Sequence, residues 1–193
     1  SDPNRSPHSD RVFGSGSLEL QKAQPLRVCG GDSFWGLACN SVHFLDLVSW
    51  WTGEELASLD ASELDSKWFE SKRPGFFEVT GILKATFSGG SELVLESRTE
   101  GEAFRLRVET EEGEWLIDQA GGIATGPGGS VIRGRLENQS EITGRLVKAI
   151  QETGQCDLPT LAESCRMHRI FLKAILDHWN ISHIQHDNLV PIT

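Results

Sequence analysis

From residue 104 to 110 the chain reads Phe-Arg-Leu-Arg-Val-Glu-Thr, apolar and polar in strict alternation. In a strand that pattern turns Phe104, Leu106 and Val108 to one side and the two arginines to the other. Comparable strand signals place strands over 12–20, 26–29, 63–70, 75–87, 91–97, 104–110 and 114–120. Between the later ones stand Ser-Gly-Gly-Ser, Glu-Gly-Glu and Glu-Glu-Gly-Glu, at hairpin-like intervals. The implied sheet has one covered face and one wetter face. Residues 30–36, Gly-Gly-Asp-Ser-Phe-Trp-Gly, read as a glycine-rich turn ending in two aromatics.

Three stretches carry the helical period instead. The first runs from Ala38 to Trp51 and is stopped by Thr52-Gly53. A second is expected over Gln139 to Thr153, ending at Gly154. A third is expected from Pro159, a good first helical residue, to about Trp179. In it Leu161, Cys165, His168, Leu172, Ile175, Leu176 and Trp179 form one stripe. Strands, a helix, many strands and then helices predict an α+β fold: an open, mostly antiparallel β-sheet with helices packed on one face. Gly121 to Ser130, glycine-rich but lacking the Gly-Lys-Ser/Thr ending of a phosphate loop, reads as a turn-rich connection. No strand-GxGxxG-helix unit is present, so no dinucleotide-binding domain is expected within this chain. Residues 1–11 read as a flexible lead-in or tag, and 12–193 as a single domain.

Charge narrows the function class. With 18 basic and 28 acidic residues the formal net charge is -10, and the basic residues are scattered. A nucleic-acid groove needs a concentrated basic patch, so none is expected. No apolar run reaches the roughly 18 to 20 residues that cross a bilayer, so no membrane partner is expected either. The four cysteines, Cys29, Cys39, Cys156 and Cys165, have no CxxC spacing and read as thiols of a reducing, cytoplasmic compartment. Two glycosylation sequons, at Asn138 and Asn180, read as chance matches.

The candidate chemistry lies in the first helix, Cys39-Asn-Ser-Val-His-Phe-Leu-Asp46. Cys39, His43, Asp46 and Trp50 stand at i, i+4, i+7 and i+11 and share one helix face. A histidine beside a cleft is a proton shuttle, and an aspartate one turn on can fix its tautomer. A structural His-Asp pair, acid-base chemistry and metal binding all fit these residues taken alone. Elsewhere, His168 reads as a core or interface histidine, and Lys72-Arg73 as a solvated turn. Phe34 and Trp35 read as cleft walls or core. His183, His186 and Asp187 have metal-like types but lie in what reads as an extended tail, so no metal is expected there.

The segment Gly-Gly-Asp-Ser-Phe-Trp-Gly-Leu-Ala-Cys-Asn-Ser-Val-His-Phe-Leu-Asp-Leu-Val-Ser-Trp-Trp-Thr-Gly resembles the opening of the C-terminal domain in the glucose-fructose oxidoreductase / inositol dehydrogenase / MocA family. That pattern is a Gly-Gly turn, a helix with Gly-x-His-x-x-Asp, an apolar run with a Trp, and a closing Gly. His43, Asp46, Trp50 and Gly53 match it, and the strands and last helix downstream extend the resemblance over most of residues 12 to 180. The resemblance implies the substrate-binding and oligomerisation half of a two-domain dehydrogenase whose Rossmann domain is not in this sequence. It further implies an NAD or NADP cofactor held by that other domain, and a sugar, polyol or sugar derivative as substrate. A homo-oligomer formed through the sheet face is also implied. This chain alone is expected to be inactive. His43 takes the role of catalytic acid-base residue, with Asn40, Cys39, Asp46 and Trp35 as substrate-binding candidates. Two positions depart: Cys39 stands where the family often has Asp, and Ser41 where it has Gly. A neutral thiol does not anchor a hydroxyl as a carboxylate does. A different class of reading is a non-catalytic interaction module that uses the open sheet face.

Overall fold

A computed structural model describes residues 25–192 except 102, 103, 136, 138, 157 and 185. The lead-in and the strand expected over 12–20 lie outside the described residues. In chain order the elements are β1 (Arg27–Ser33), α1 (Leu37–Thr52), β2 (Leu56–Glu70), β3 (Phe77–Phe87) and β4 (Glu92–Arg98). Then follow β5 (Arg105–Thr110), β6 (Gly113–Asp118), β7 (Ile123–Thr125), β8 (Val131–Arg133), α2 (Gln139–Thr153) and α3 (Leu161–His183). Among the described residues the strands form one open sheet in the order β2-β3-β4-β1-β5-β6-β7-β8. It is antiparallel except where β1 lies parallel to β4. The fold is thus α+β, as the pattern predicts.

The Gly-Gly pair is not a turn. Gly30 and Gly31 sit inside β1, with Gly30 paired to Leu95 on one side and Leu106 on the other. A Cβ at Gly30 would stand 2.9 Å from both Leu106 Cδ2 and Phe104 Cζ. The glycine therefore marks a close approach in the middle of the sheet, the second meaning a strand glycine can carry. The connection after β1 begins only at Phe34.

The core is the layer between the sheet and two helices. Val28, Leu93, Leu95, Leu106 and Val108 of the central strands are at most 1% exposed, as are Leu37, Leu45 and Val48 of α1. Each such side chain contributes about 1.5–3 kcal/mol by leaving water. α3 covers β2 and leans on α1. Its buried residues are Met167, Phe171, Ile175 and Trp179, rotated from the expected stripe. Leu161 and Leu172 are exposed. The helix begins at Leu161, not Pro159, because Thr160 and Glu163 close a capping box ahead of it. α2 is placed as expected but is not packed into the core: no residue of 140–153 is buried.

β2 starts at Leu56, well before the expected Glu63. Its pairing with β3 slips at Leu56/Ser58, Asp60/Glu63 and Leu64/Trp68. These bulges space the buried Leu56, Ala61, Leu64 and Trp68 irregularly, so the two-residue period never appears in the sequence. Residues 121–130 are, as read, a connection, though they include β7 and a short 3-10 turn at Pro127–Gly129.

Candidate functional site

α1 carries the candidate chemistry, and a carboxylate ties each of its ends to the sheet. Gly36 precedes the helix with φ 82 and offers no capping side chain, and the first turn holds no acidic residue. The cap comes instead from Glu78 of β3. Its Oε2 accepts from the Ala38 N–H at 2.8 Å and its Oε1 from the Cys39 N–H at 3.2 Å. Glu78 is 7% exposed. A buried carboxylate is costly unless hydrogen-bonded, and here two helix N–H groups and the positive end of the helix dipole compensate it. Gly36 is required by this arrangement, since a Cβ there would stand 2.8 Å from Asn40 Nδ2 and 3.3 Å from Glu78 Oε1.

At the far end Gly53 closes the helix, its N–H donating to Ser49 O at 2.8 Å. Glu54 follows and reaches into the β3–β4 turn. It accepts from the Gly89 N–H at 2.7 Å and from the Ser91 hydroxyl at 2.6 Å. Ser91 in turn accepts from the Leu26 N–H at 2.9 Å. The helix is thereby fixed along its axis relative to β3, β4 and β1.

Leu37, Ala38, Ser41, Leu45 and Val48 are buried, so they define the inward face of α1. At 100° per residue Cys39, His43, Asp46 and Trp50 fall opposite them. The four share one face, as read from the sequence, and that face looks away from the sheet. His43 is exposed, while Cys39, Asp46 and Trp50 are half-buried. Ser41 is buried and its hydroxyl donates to Leu37 O at 2.5 Å, which hides its polar atom in the helix. Cys39 is a thiol outside any disulfide, as are Cys29, Cys156 and Cys165. Its Sγ–H points at Gly36 O, 3.6 Å away. Asn40 donates from Nδ2 to Trp35 O at 2.7 Å, which shapes the turn into the helix.

The two aromatics before α1 behave differently. Trp35 is half-buried. It meets Phe44 and Phe104 edge-on at 5.3 and 5.2 Å, and its indole N–H donates to Glu96 O at 2.7 Å. Phe34 is 52% exposed and holds a left-handed backbone, φ 47.

Of the remaining candidates, His168 is half-buried and donates from Nδ1 to Ser164 O of its own helix at 2.8 Å. Lys72 and Arg73 are exposed in the β2–β3 turn. His183 belongs to α3, not to a tail. Its ring lies 3.8 Å from that of Trp179, and its Nδ1–H donates to Trp179 O at 2.9 Å. Among the described residues no group of three or more His, Cys, Asp or Glu is placed to hold a metal ion. Among them, too, no helix is long and apolar enough to cross a membrane.

The outer sheet face carries ion pairs between neighbouring strands: Lys84 with Glu63, Arg27 with Glu92 and Arg107 with Glu114. Each is exposed and contributes little alone. Cys29 lies among them, and burial pushes its thiol pKa up. Sequence reasoning missed Glu78, the residue that orders α1. Its one signal was a lone glutamate in the apolar run Phe-Phe-Glu-Val-Thr, read only as strand.

The sequence matches no protein-family model and no curated protein. Solved structures do share its fold. An aldose-aldose oxidoreductase from Caulobacter crescentus, complexed with glycerol, is 16% identical with a TM-score of 0.57, over 84% of this chain and 55% of that one. An oxidoreductase domain protein from Kribbella flavida is 14% identical with a TM-score of 0.54, over 84% and 59%. A UDP-N-acetylglucosamine 3-dehydrogenase from Acidithiobacillus ferrooxidans is 12% identical with a TM-score of 0.52, over 84% and 54%. This chain spans little more than half the length of each. The resemblance read from its first helix holds at the level of fold: the fold is that of one part of two-domain oxidoreductases.

Proposed function

We propose that this chain is the substrate-binding and oligomerisation half of an NAD(P)-dependent oxidoreductase acting on a sugar, polyol or sugar derivative. One observation carries the reading. An exposed histidine, His43, is presented on the outward face of a helix fixed at both ends, in a fold shared with sugar-acting oxidoreductases. The chain has no strand-GxGxxG-helix unit, so none of its residues is assigned to the nicotinamide nucleotide, which belongs to a second domain. That cofactor, when bound, supplies the hydride acceptor. The task left to this chain is to seat the substrate and move the hydroxyl proton. His43 takes that proton, and Asn40, Cys39, Asp46 and Trp35 shape the seat around it. The open sheet face, with its interleaved charges, forms the contact between copies of the chain. Four cysteines outside disulfides fit a reducing, cytoplasmic setting.

Joining the chain to a dinucleotide-binding domain and following nicotinamide reduction with a panel of aldoses and cyclic polyols tests this. His43→Ala is expected to lower the rate by about 10²-fold or more. An undiminished rate removes His43 from the chemistry. A second reading, a non-catalytic interaction module, is favoured by the thiol of Cys39 at the position where the resembled pattern has a carboxylate. Under it the joined protein turns over no substrate, while the sheet face still binds a protein partner.

A further inference from the structure

Phe34 breaks two rules at once. It is a bulky L-residue at φ 47, a region such residues avoid, and it leaves 52% of its surface in water. The ring packs on Phe69, yet about half of the side chain stays open. The neighbouring Trp35 already packs edge-on against both Phe44 and Phe104, and the chain could turn here more easily on a glycine. Strain that the surrounding structure maintains belongs to places where a side chain must be held in a given direction. The holding is visible. The Phe34 N–H donates to Arg98 O at 3.1 Å, and the ring stands edge-to-face on Phe69, 5.3 Å away and at 88°. The ring is thus buttressed by Phe69 from β2 while half the side chain stays open. Phe34 also sits at the end of α1 that carries Cys39, Asn40 and His43.

We propose that Phe34 is a ligand-binding platform: its open ring surface receives the apolar C–H face of a pyranose or cyclic polyol whose hydroxyls turn toward the outward face of α1. This rests on the sugar-oxidoreductase reading and adds the residue that seats the ring. An aromatic surface fits such a ligand because a sugar ring has one face of C–H groups and an edge of hydroxyls, and pockets orient ligands by an aromatic wall and few polar groups.

The test uses the whole chain and two readouts. Phe34→Gly removes the ring and relieves the backbone. Binding is read by saturation-transfer NMR with D-glucose, N-acetyl-D-glucosamine and myo-inositol, and stability by thermal unfolding. The expected result is that at least one of these ligands binds the wild-type chain and binds Phe34→Gly about tenfold more weakly, a difference of about 1.4 kcal/mol. The variant's melting temperature stays level or rises, because the strained residue is gone. Phe34→Tyr, which keeps the ring, retains binding. A clear fall in melting temperature with unchanged ligand affinity overturns the proposal and makes Phe34 a packing residue. Equal affinity of wild type and Phe34→Gly overturns it as well, while leaving the sugar-oxidoreductase reading in place. Binding by the wild type of none of the three ligands overturns both.

Discussion

Three side chains make the site testable residue by residue. Glu78 is buried and its carboxylate accepts from two N–H groups at the start of α1, so Glu78→Gln leaves one helix N–H facing an amide N–H. The expected loss is about 1–3 kcal/mol of stability, measured by urea unfolding; a change within experimental error would show that α1 does not depend on this cap. His43 is the converse. Being exposed, it can be replaced by Ala with a stability change within about 0.5 kcal/mol. His178 supplies a pH dependence. Burial holds its imidazole below the ordinary value of 6.5, its Nε2–H donates to Leu64 O at 3.2 Å, and its buried Nδ1 has no hydrogen-bond partner among the described residues. The unfolded chain therefore takes up the proton first as pH falls. Stability is full above 6.5 and declines as pH drops through that value toward the folded one. His178→Gln keeps a donor for Leu64 and removes the titration, so unfolding measured from pH 7.5 to 5 should show a shallower decline; an unchanged slope would assign it to other groups. His43 was legible because a helix projects its period onto sequence. Glu78 was not, because its partners lie 40 residues away and no local pattern announces a tertiary cap.

At the scale of elements, alternation worked where pairing is regular. β5 and β6 lie where Phe-Arg-Leu-Arg-Val and its neighbour place them, and α2 matches its expected bounds. It failed where the backbone is irregular: the bulges of β2 space its buried residues like a helix, and the glycines of β1 look like a turn until both neighbouring strands are known. The stripe of α3 was misjudged by rotation, since Leu161 lies in the first turn and Leu172 faces water, while Met167 and Phe171 turn inward. Two substitutions measure this. Phe171→Ala should cost about 3–5 kcal/mol and Leu161→Ala less than about 0.5 kcal/mol, both by chemical denaturation. Similar losses at both sites would restore the original stripe. α2 stands apart from the core, with no residue of 140–153 buried.

For the whole molecule, the proposed function rests on two surfaces. One is the outward face of α1, with His43 at its centre and Phe34 at its leading end. The other is the outer face of the sheet, where Lys84–Glu63, Arg27–Glu92 and Arg107–Glu114 alternate in sign. Alternating charge suits an isologous contact, in which each patch meets its own copy. Arg107→Glu should then weaken self-association measured by light scattering, with a stronger effect at low salt; a strict monomer in the wild type would end the oligomer reading. The overall class was legible from element order, whereas the buried side of each helix was not, because it depends on how α1 and α3 pack on the sheet. The most direct measurement joins this chain to a dinucleotide-binding domain and compares wild type with His43→Ala for nicotinamide reduction by aldoses and cyclic polyols. Turnover by the wild type and a loss of about 10²-fold in the variant are the predicted result. Equal turnover by the two proteins, or none by the wild type, would contradict a substrate-binding half built around His43.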